Sequence, residues 1–180
     1  MDTGSRSRLL IAMFTFLVIA AVAMAGIAIF QRATPYAPVG PERYAGWTRV
    51  ATTTRYVMVI NVLPAEVMFT RAAYERVHPT QGELVLDGHP TPVGASMRHT
   101  EAHIYSKKTG LPLAGKRPRI TLVDHAAGGM RDVDATKMQD VVIGATDMHF
   151  GSNISIPSGH EFTITVALAG EEVSVDGNLT

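Results

Sequence analysis

The residues best able to do chemistry lie in one short run, Met97-Arg98-His99-Thr100-Glu101-Ala102-His103-Ile104-Tyr105. Read as a strand, the run places alternate residues on one face. Met97, His99, Glu101, His103 and Tyr105 then share a face, and Arg98, Thr100, Ala102 and Ile104 the other. The second set contains the small and apolar members that suit a core. The first aligns a thioether, two imidazoles and a carboxylate. Residues two apart on a strand are about 6.6–7 Å apart at Cα, so a second segment must complete the shell around any one ion. Two segments qualify. Asp147-Met148-His149-Phe150-Gly151 reads as a Gly-bounded loop between strands and offers Met148 and His149. Pro64-Ala65-Glu66-Val67-Met68 follows the first strong strand and offers Glu66 and Met68. Thioethers favour Cu(I), imidazole serves copper, iron and zinc, and a carboxylate helps to hold Cu(II) or iron. The expected metal set is therefore His99, His149, Met97, Glu101, His103, Met148, Glu66 and Met68, and the expected cofactor is a copper ion, with iron as the second choice. A methionine on a strand is more often core filler, and a lone histidine is more often structural. It is the joint pattern that points to an ion. His78, His89, His125 and His160 lack such company and read as surface residues. Met130 and Met138 read as packing, and Asp132 and Asp134 as a solvated turn.

Composition narrows the alternatives. Of 180 residues, 16 are Lys or Arg and 16 are Asp or Glu, and neither sign forms a long run. Nothing here suggests a nucleic-acid partner. There are no cysteines, which excludes disulfides, thiolate sites, copper centres built on Cys and Cys nucleophiles. No Gly-rich phosphate loop, nucleophile elbow or His-Glu-x-x-His zinc motif is present, so the sequence points to a binding module and not to an enzyme. Two uses compete for that module. One is metal binding, with delivery to a membrane permease or complex. The other is an accessory, structural subunit of a membrane complex with no metal role.

The elements that must position these residues begin after an apolar block. Leu9–Phe30 has 22 residues without a charge, about 33 Å as a helix and enough to span a bilayer. Arg6 and Arg8 before it place residues 1–8 in the cytoplasm and the rest of the chain outside. A signal peptide cleaved near Ala23-Met24-Ala25 is the rival reading, though the apolar run continues to Phe30. Either way the following domain is extracytoplasmic, and the anchored form sits in the cytoplasmic membrane. Residues 31–47, with Pro35, Pro38 and Pro41, read as an extended linker, and residues 48–180 as the folded domain.

That domain reads as β. Strands are expected at Tyr56–Val62, Glu83–Leu86, Ser96–Tyr105, Arg119–Asp124, Phe162–Leu168 and Val173–Leu179, with a weaker one at Lys137–Ile143. Only Thr70–Val77 reads as a helix, capped by Thr70 and stopped before Pro79. Short strands separated by Gly and Pro clusters indicate an all-β sandwich preceded by one transmembrane helix.

At the same segments the chain resembles the periplasmic iron-transport-associated, copper-binding proteins. His99-Thr100-Glu101-Ala102-His103-Ile104 is similar to that family's His-x-Glu-Ala-Asp-Ile strand, with His103 in place of the acid. Asp147-Met148-His149-Phe150-Gly151-Ser152-Asn153 is similar to its His-Tyr-Gly-Ala-Asn loop, and Pro157-Ser158-Gly159 and Phe162–Val166 follow in order. Val62–Met68 resembles a strand-ending turn with Pro and Met. The resemblance runs from about Arg55 to Leu168 and implies an immunoglobulin-like sandwich. It further implies that His99 and His149 are ligands, completed by Met68, Glu66 or Met97, in a protein that accompanies iron uptake. The helix at Thr70–Val77 and the early end of the chain depart from the family pattern.

Overall fold

In the computed structural model the described residues are 46–179. Apolar residues at every second position drive most of the architecture. Phe162, Ile164, Val166 and Leu168 are buried while their neighbours are partly or fully exposed, the period of a strand with one face in a core. The strands are β1 (Trp47–Thr52), β2 (Tyr56–Pro64), β3 (Met68–Phe69), β4 (Glu83–Asp87), β5 (Met97–Ser106), β6 (Arg119–Asp124), β7 (Met130–Val133), β8 (Thr136–Asp140), β9 (His149–Ser155), β10 (Glu161–Leu168) and β11 (Glu171–Asn178). One helix, α1 (Arg71–Val77), separates β3 from β4, and a short 3-10 turn, Gly144–Asp147, precedes β9.

The strands form two sheets. The larger has the order β1-β2-β5-β9-β8-β4-β3 and the smaller β11-β10-β6-β7. Met58, Ile60 and Val62 of β2, Ala102 and Ile104 of β5 and Phe150 of β9 pack with Ile120, Leu122, Phe162, Ile164 and Val166 of the smaller sheet. This is an all-β sandwich. Each fully buried aliphatic or aromatic side chain contributes about 1.5–3 kcal/mol. Trp47 closes one end of the core, edge-on to Phe162 with 5.2 Å between ring centroids. Gly177 stands opposite Phe162 in β11, and a Cβ there would meet Phe162 at 2.5 Å and Trp47 at 2.6 Å. The two rings occupy the space that a side chain would need.

Several expected elements shift. Trp47, at the end of the expected linker, already belongs to β1. The Asp147–Gly151 segment is not a loop: Asp147 ends the 3-10 turn and His149 opens β9. The weak strand stops at Asp140, because the Asp140 carboxylate accepts the Val142 and Ile143 N–H groups and turns the chain. Met130 is 63% exposed and does not pack, whereas Met138 is fully buried. Asp132 lies in β7 and pairs with Arg119. His160 is only partly exposed and pairs with buried Asp124 at 3.0 Å. α1 forms as the sequence suggests. The Thr70 hydroxyl accepts the Ala73 N–H, and His78 ends the helix in the left-handed conformation. Among the described residues no helix is long and apolar enough to cross a membrane. The apolar run Leu9–Phe30 lies outside the described residues.

Candidate metal centre

The site grows from the second face of the larger sheet. Because Ala102 and Ile104 point into the sandwich core, alternation turns His99, Glu101 and His103 to the opposite face. That face is buried as well: His99 is 0%, Glu101 3% and His103 5% exposed. Three segments cover it. The stretch after β2 is clamped down by Asn153, whose amide donates to the Glu66 carbonyl and accepts the Glu66 N–H. Thr91 ties in the segment before β5, accepting from the Asn153 N–H and donating to the Met68 sulfur. The 3-10 turn brings Asp147 against His103 and His149.

Strand register does the rest. Glu101 pairs with Asn61 of β2 on one side and with Gly151 of β9 on the other. A Cβ on Gly151 would sit 2.1 Å from the Thr100 carbonyl oxygen, so only glycine allows β9 this close. Glycine also leaves the floor opposite Glu101 without a side chain. His149 and Asn153 flank Gly151 on the same face, and Glu83 enters from β4. The result is a group of four buried residues, Glu83, His99, Glu101 and His149, each offering one ligand atom within 4.8 Å of all the others.

Hydrogen bonds fix which imidazole nitrogen is free. The Asn153 side-chain oxygen can only accept, so His99 carries its proton on Nδ1 and donates across 3.1 Å. The Asp147 backbone carbonyl can only accept, so His149 is likewise protonated on Nδ1, at 2.7 Å. Each ring therefore turns Nε2 to the cluster, and neither Nε2 has a hydrogen-bond partner. This is how metal-binding histidines are oriented by their outer hydrogen bonds. His149 Nε2 lies 3.1 Å from Glu101 Oε2 and 3.4 Å from Glu83 Oε2, and His99 Nε2 lies 3.5 Å from Glu101 Oε2. The 3.1 Å approach is not a hydrogen bond, and it is a contact of opposite charges when His149 is protonated. A tetrahedral ion with bonds of about 2.0–2.1 Å holds its ligand atoms about 3.3–3.4 Å apart. The three measured edges bracket that value. Asn61 donates to the other oxygen of Glu101 at 2.6 Å and fixes the carboxylate.

Burial and close opposite charges set the protonation of this cluster. Burial alone would raise the Glu101 carboxyl, but facing His149 and His103 hold it well below its usual range. Burial alone would lower His149, but Glu101 and Glu83 hold its imidazole well above its usual value. Glu83 is pushed up to about 9, chiefly by burial and against the pull of His149. At neutral pH protons thus sit on Glu83 and His149. Such buried ionisable groups are costly to a fold and cluster at functional sites.

Of the expected residues, the structure brings His99, Glu101 and His149 into one group and His103 into a neighbouring group with Asp147 and His149. Glu66 is half-buried, its carboxyl raised mainly by burial, and lines a cavity that also touches Glu83 and Glu101. Met68 is buried with Val85 and Met138, and its sulfur accepts from Thr91, so it supports the wall. Met97 is half-buried one strand step beyond His99, beside Gly94, and Met148 is half-buried at the end of the 3-10 turn. Sequence reasoning did not single out Glu83, Asp147, Asn61 or Asn153 as site residues. Glu83 sits at a strand start, where an acid is ordinary, and only pairing of β4 with β8 carries it inward. Comparison of the chain with protein-family models, with curated proteins and with solved structures found no match. The likeness to iron-transport-associated proteins therefore stands on the motifs quoted above.

Proposed function

We propose that the sandwich is a metal-binding module that holds a transition-metal ion, copper before iron, between Glu83, His99, Glu101 and His149. One observation carries this reading: two buried imidazoles, each with its Nδ1 proton committed elsewhere, turn Nε2 atoms that have no hydrogen-bond partner toward the same carboxylates. Divalent copper binds a given nitrogen and oxygen donor set more tightly than the other first-row ions do. The three measured ligand-to-ligand distances also suit zinc, so zinc is the competitor to test. The apolar run Leu9–Phe30 supports an anchored, extracytoplasmic placement, with the module passing its ion to a membrane permease or complex. Tethering would raise the local concentration of the carrier near such a partner. The motif resemblance supports an immunoglobulin-like sandwich and a role beside iron uptake.

The test is titration of the full chain in detergent with Cu(II), followed by absorption and electron paramagnetic resonance, with Zn(II) as competitor. One ion per chain is expected. His99→Ala and His149→Ala should each weaken binding by about 100-fold or more, since each removes a direct ligand. Unchanged copper affinity in both variants would overturn the site. A metal-free protein that purifies with a stoichiometric membrane partner would favour the accessory-subunit role instead.

A further inference from the structure

Beside the four-residue group lies a second one, His103, Asp147 and His149, whose ligand atoms also fall within 4.8 Å of one another. It shares His149 with the first group and differs from it in depth. The side chains of His99 and His149 are 0% exposed and those of Glu83 and Glu101 4%, while those of His103 and Asp147 are 6% and 11% exposed. The chemistry of His103 is specific. Its Nε2 lies 3.0 Å from Glu101 Oε1, and the Glu101 carboxylate accepts, so Nε2 carries the proton. Nδ1 is then the nitrogen that can offer a lone pair to an ion. That nitrogen is buried without a hydrogen-bond partner, and the Asp147 carboxylate stands 3.7 Å away. Two potential ligand atoms thus face each other with space between them for a cation.

A route to this point is visible. A cavity of about 40 Å³ is bordered by Glu66, Glu83, Glu101, Asp140 and Asp147. It exceeds the roughly 10–15 Å³ needed to hold one water. Glu66 and Asp140 also line a wider open groove beside it. Carboxylates in a low-dielectric cleft concentrate cations and speed their arrival. Asp147 borders the cavity and belongs to the outer group, while Glu83 and Glu101 border it and belong to the inner one.

Resting on the metal-centre reading above, we infer that His103, Asp147 and the shared His149 form an outer station for a divalent copper ion, through which the ion passes to Glu83, His99, Glu101 and His149. No covalent or redox step is involved. The ion exchanges ligands one at a time, and His149 stays bound while His103 and Asp147 give way to His99 and the two glutamates.

The experiment is stopped-flow loading of the full chain with Cu(II), compared among the wild type, D147N and H103Q, with the same variants also placed on an H99A background. D147N keeps an oxygen to accept the Asp140 N–H, which Asp147 does at 3.3 Å. H103Q keeps a donor for Glu101. Circular dichroism confirms that each variant is folded. Expected results are loading slowed by about tenfold or more in D147N and H103Q, with the final copper spectrum unchanged. H99A should retain weak copper binding with an altered spectrum, and adding D147N should abolish it. Wild-type loading rates in both D147N and H103Q, or residual binding in H99A that D147N leaves intact, would overturn the outer station while leaving the inner site standing. A wild-type chain that takes up no copper would remove both.

Discussion

Asn153 offers the sharpest test of how the fold builds the centre, because it touches no proposed ion. Its side-chain oxygen accepts from His99 Nδ1 and from the Glu66 N–H, both at 3.1 Å, and its amide donates to the Glu66 carbonyl at 2.7 Å. Asn153→Ala removes these three bonds, and a longer one of 3.4 Å to the Thr91 carbonyl, in a site where Asn153 is 3% exposed. Each is worth about 0.5–1.5 kcal/mol net, and stranded buried donors add to the loss, giving about 2–4 kcal/mol. For a domain of this size that lowers Tm by roughly 10 °C. The His99 ring then loses its tether and its fixed tautomer. Loss of such an outer partner lowers metal affinity by about 10–100-fold. Asn153→Asp separates the two effects, because its oxygens still accept from His99 and Glu66 while donation to the Glu66 carbonyl is lost. Calorimetric copper titration and thermal melts of the three proteins decide the matter. Metal affinity should follow the order wild type, N153D, N153A. A folded N153A with wild-type copper affinity would refute the claim that this bond orients His99.

Two further outcomes follow from the same geometry. Copper affinity should rise with pH, because Glu83 holds its proton up to about 9 and the carboxylates keep His149 protonated above its usual value. A binding ion must displace both protons, so affinity gains up to about two decades per pH unit while both are held. Titrations at several pH values, with proton release measured in weak buffer, check this, and a flat profile would contradict it. Gly151→Ala places a methyl group 2.1 Å from the Thr100 carbonyl oxygen and 2.8 Å from Glu101 Cα. β9 must then move away from β5, costing about 1–3 kcal/mol and pulling His149 from Glu101. Denaturant melts should show the loss, and copper affinity should fall with it.

The candidate cluster was legible in the sequence wherever a single strand carries it, and hidden wherever it depends on which strands become neighbours. His99, Glu101 and His103 announce themselves because a period of two places them on one face, and the small or apolar Ala102 and Ile104 fix that face as the outer one. His149 could be named from its surroundings, but its placement as a loop residue missed the pairing of β9 with β5. That pairing sets Gly151 opposite Glu101 and leaves room for the imidazole. Glu83 is the instructive omission. Its local sequence describes an ordinary strand start, and its burial comes from β4 joining β8 at the far side of the sheet, with Glu83 paired to Asp140. The methionines are less informative. Their softness suggested copper, and the buried Met68 sulfur accepts from Thr91 and packs with Val85 and Met138. A thioether is apolar enough to be taken up by whatever core lies nearest. A buried carboxylate has no such refuge and must find a cation or a proton. On these grounds the buried acids and imidazoles of this chain are the groups to read for what it could hold.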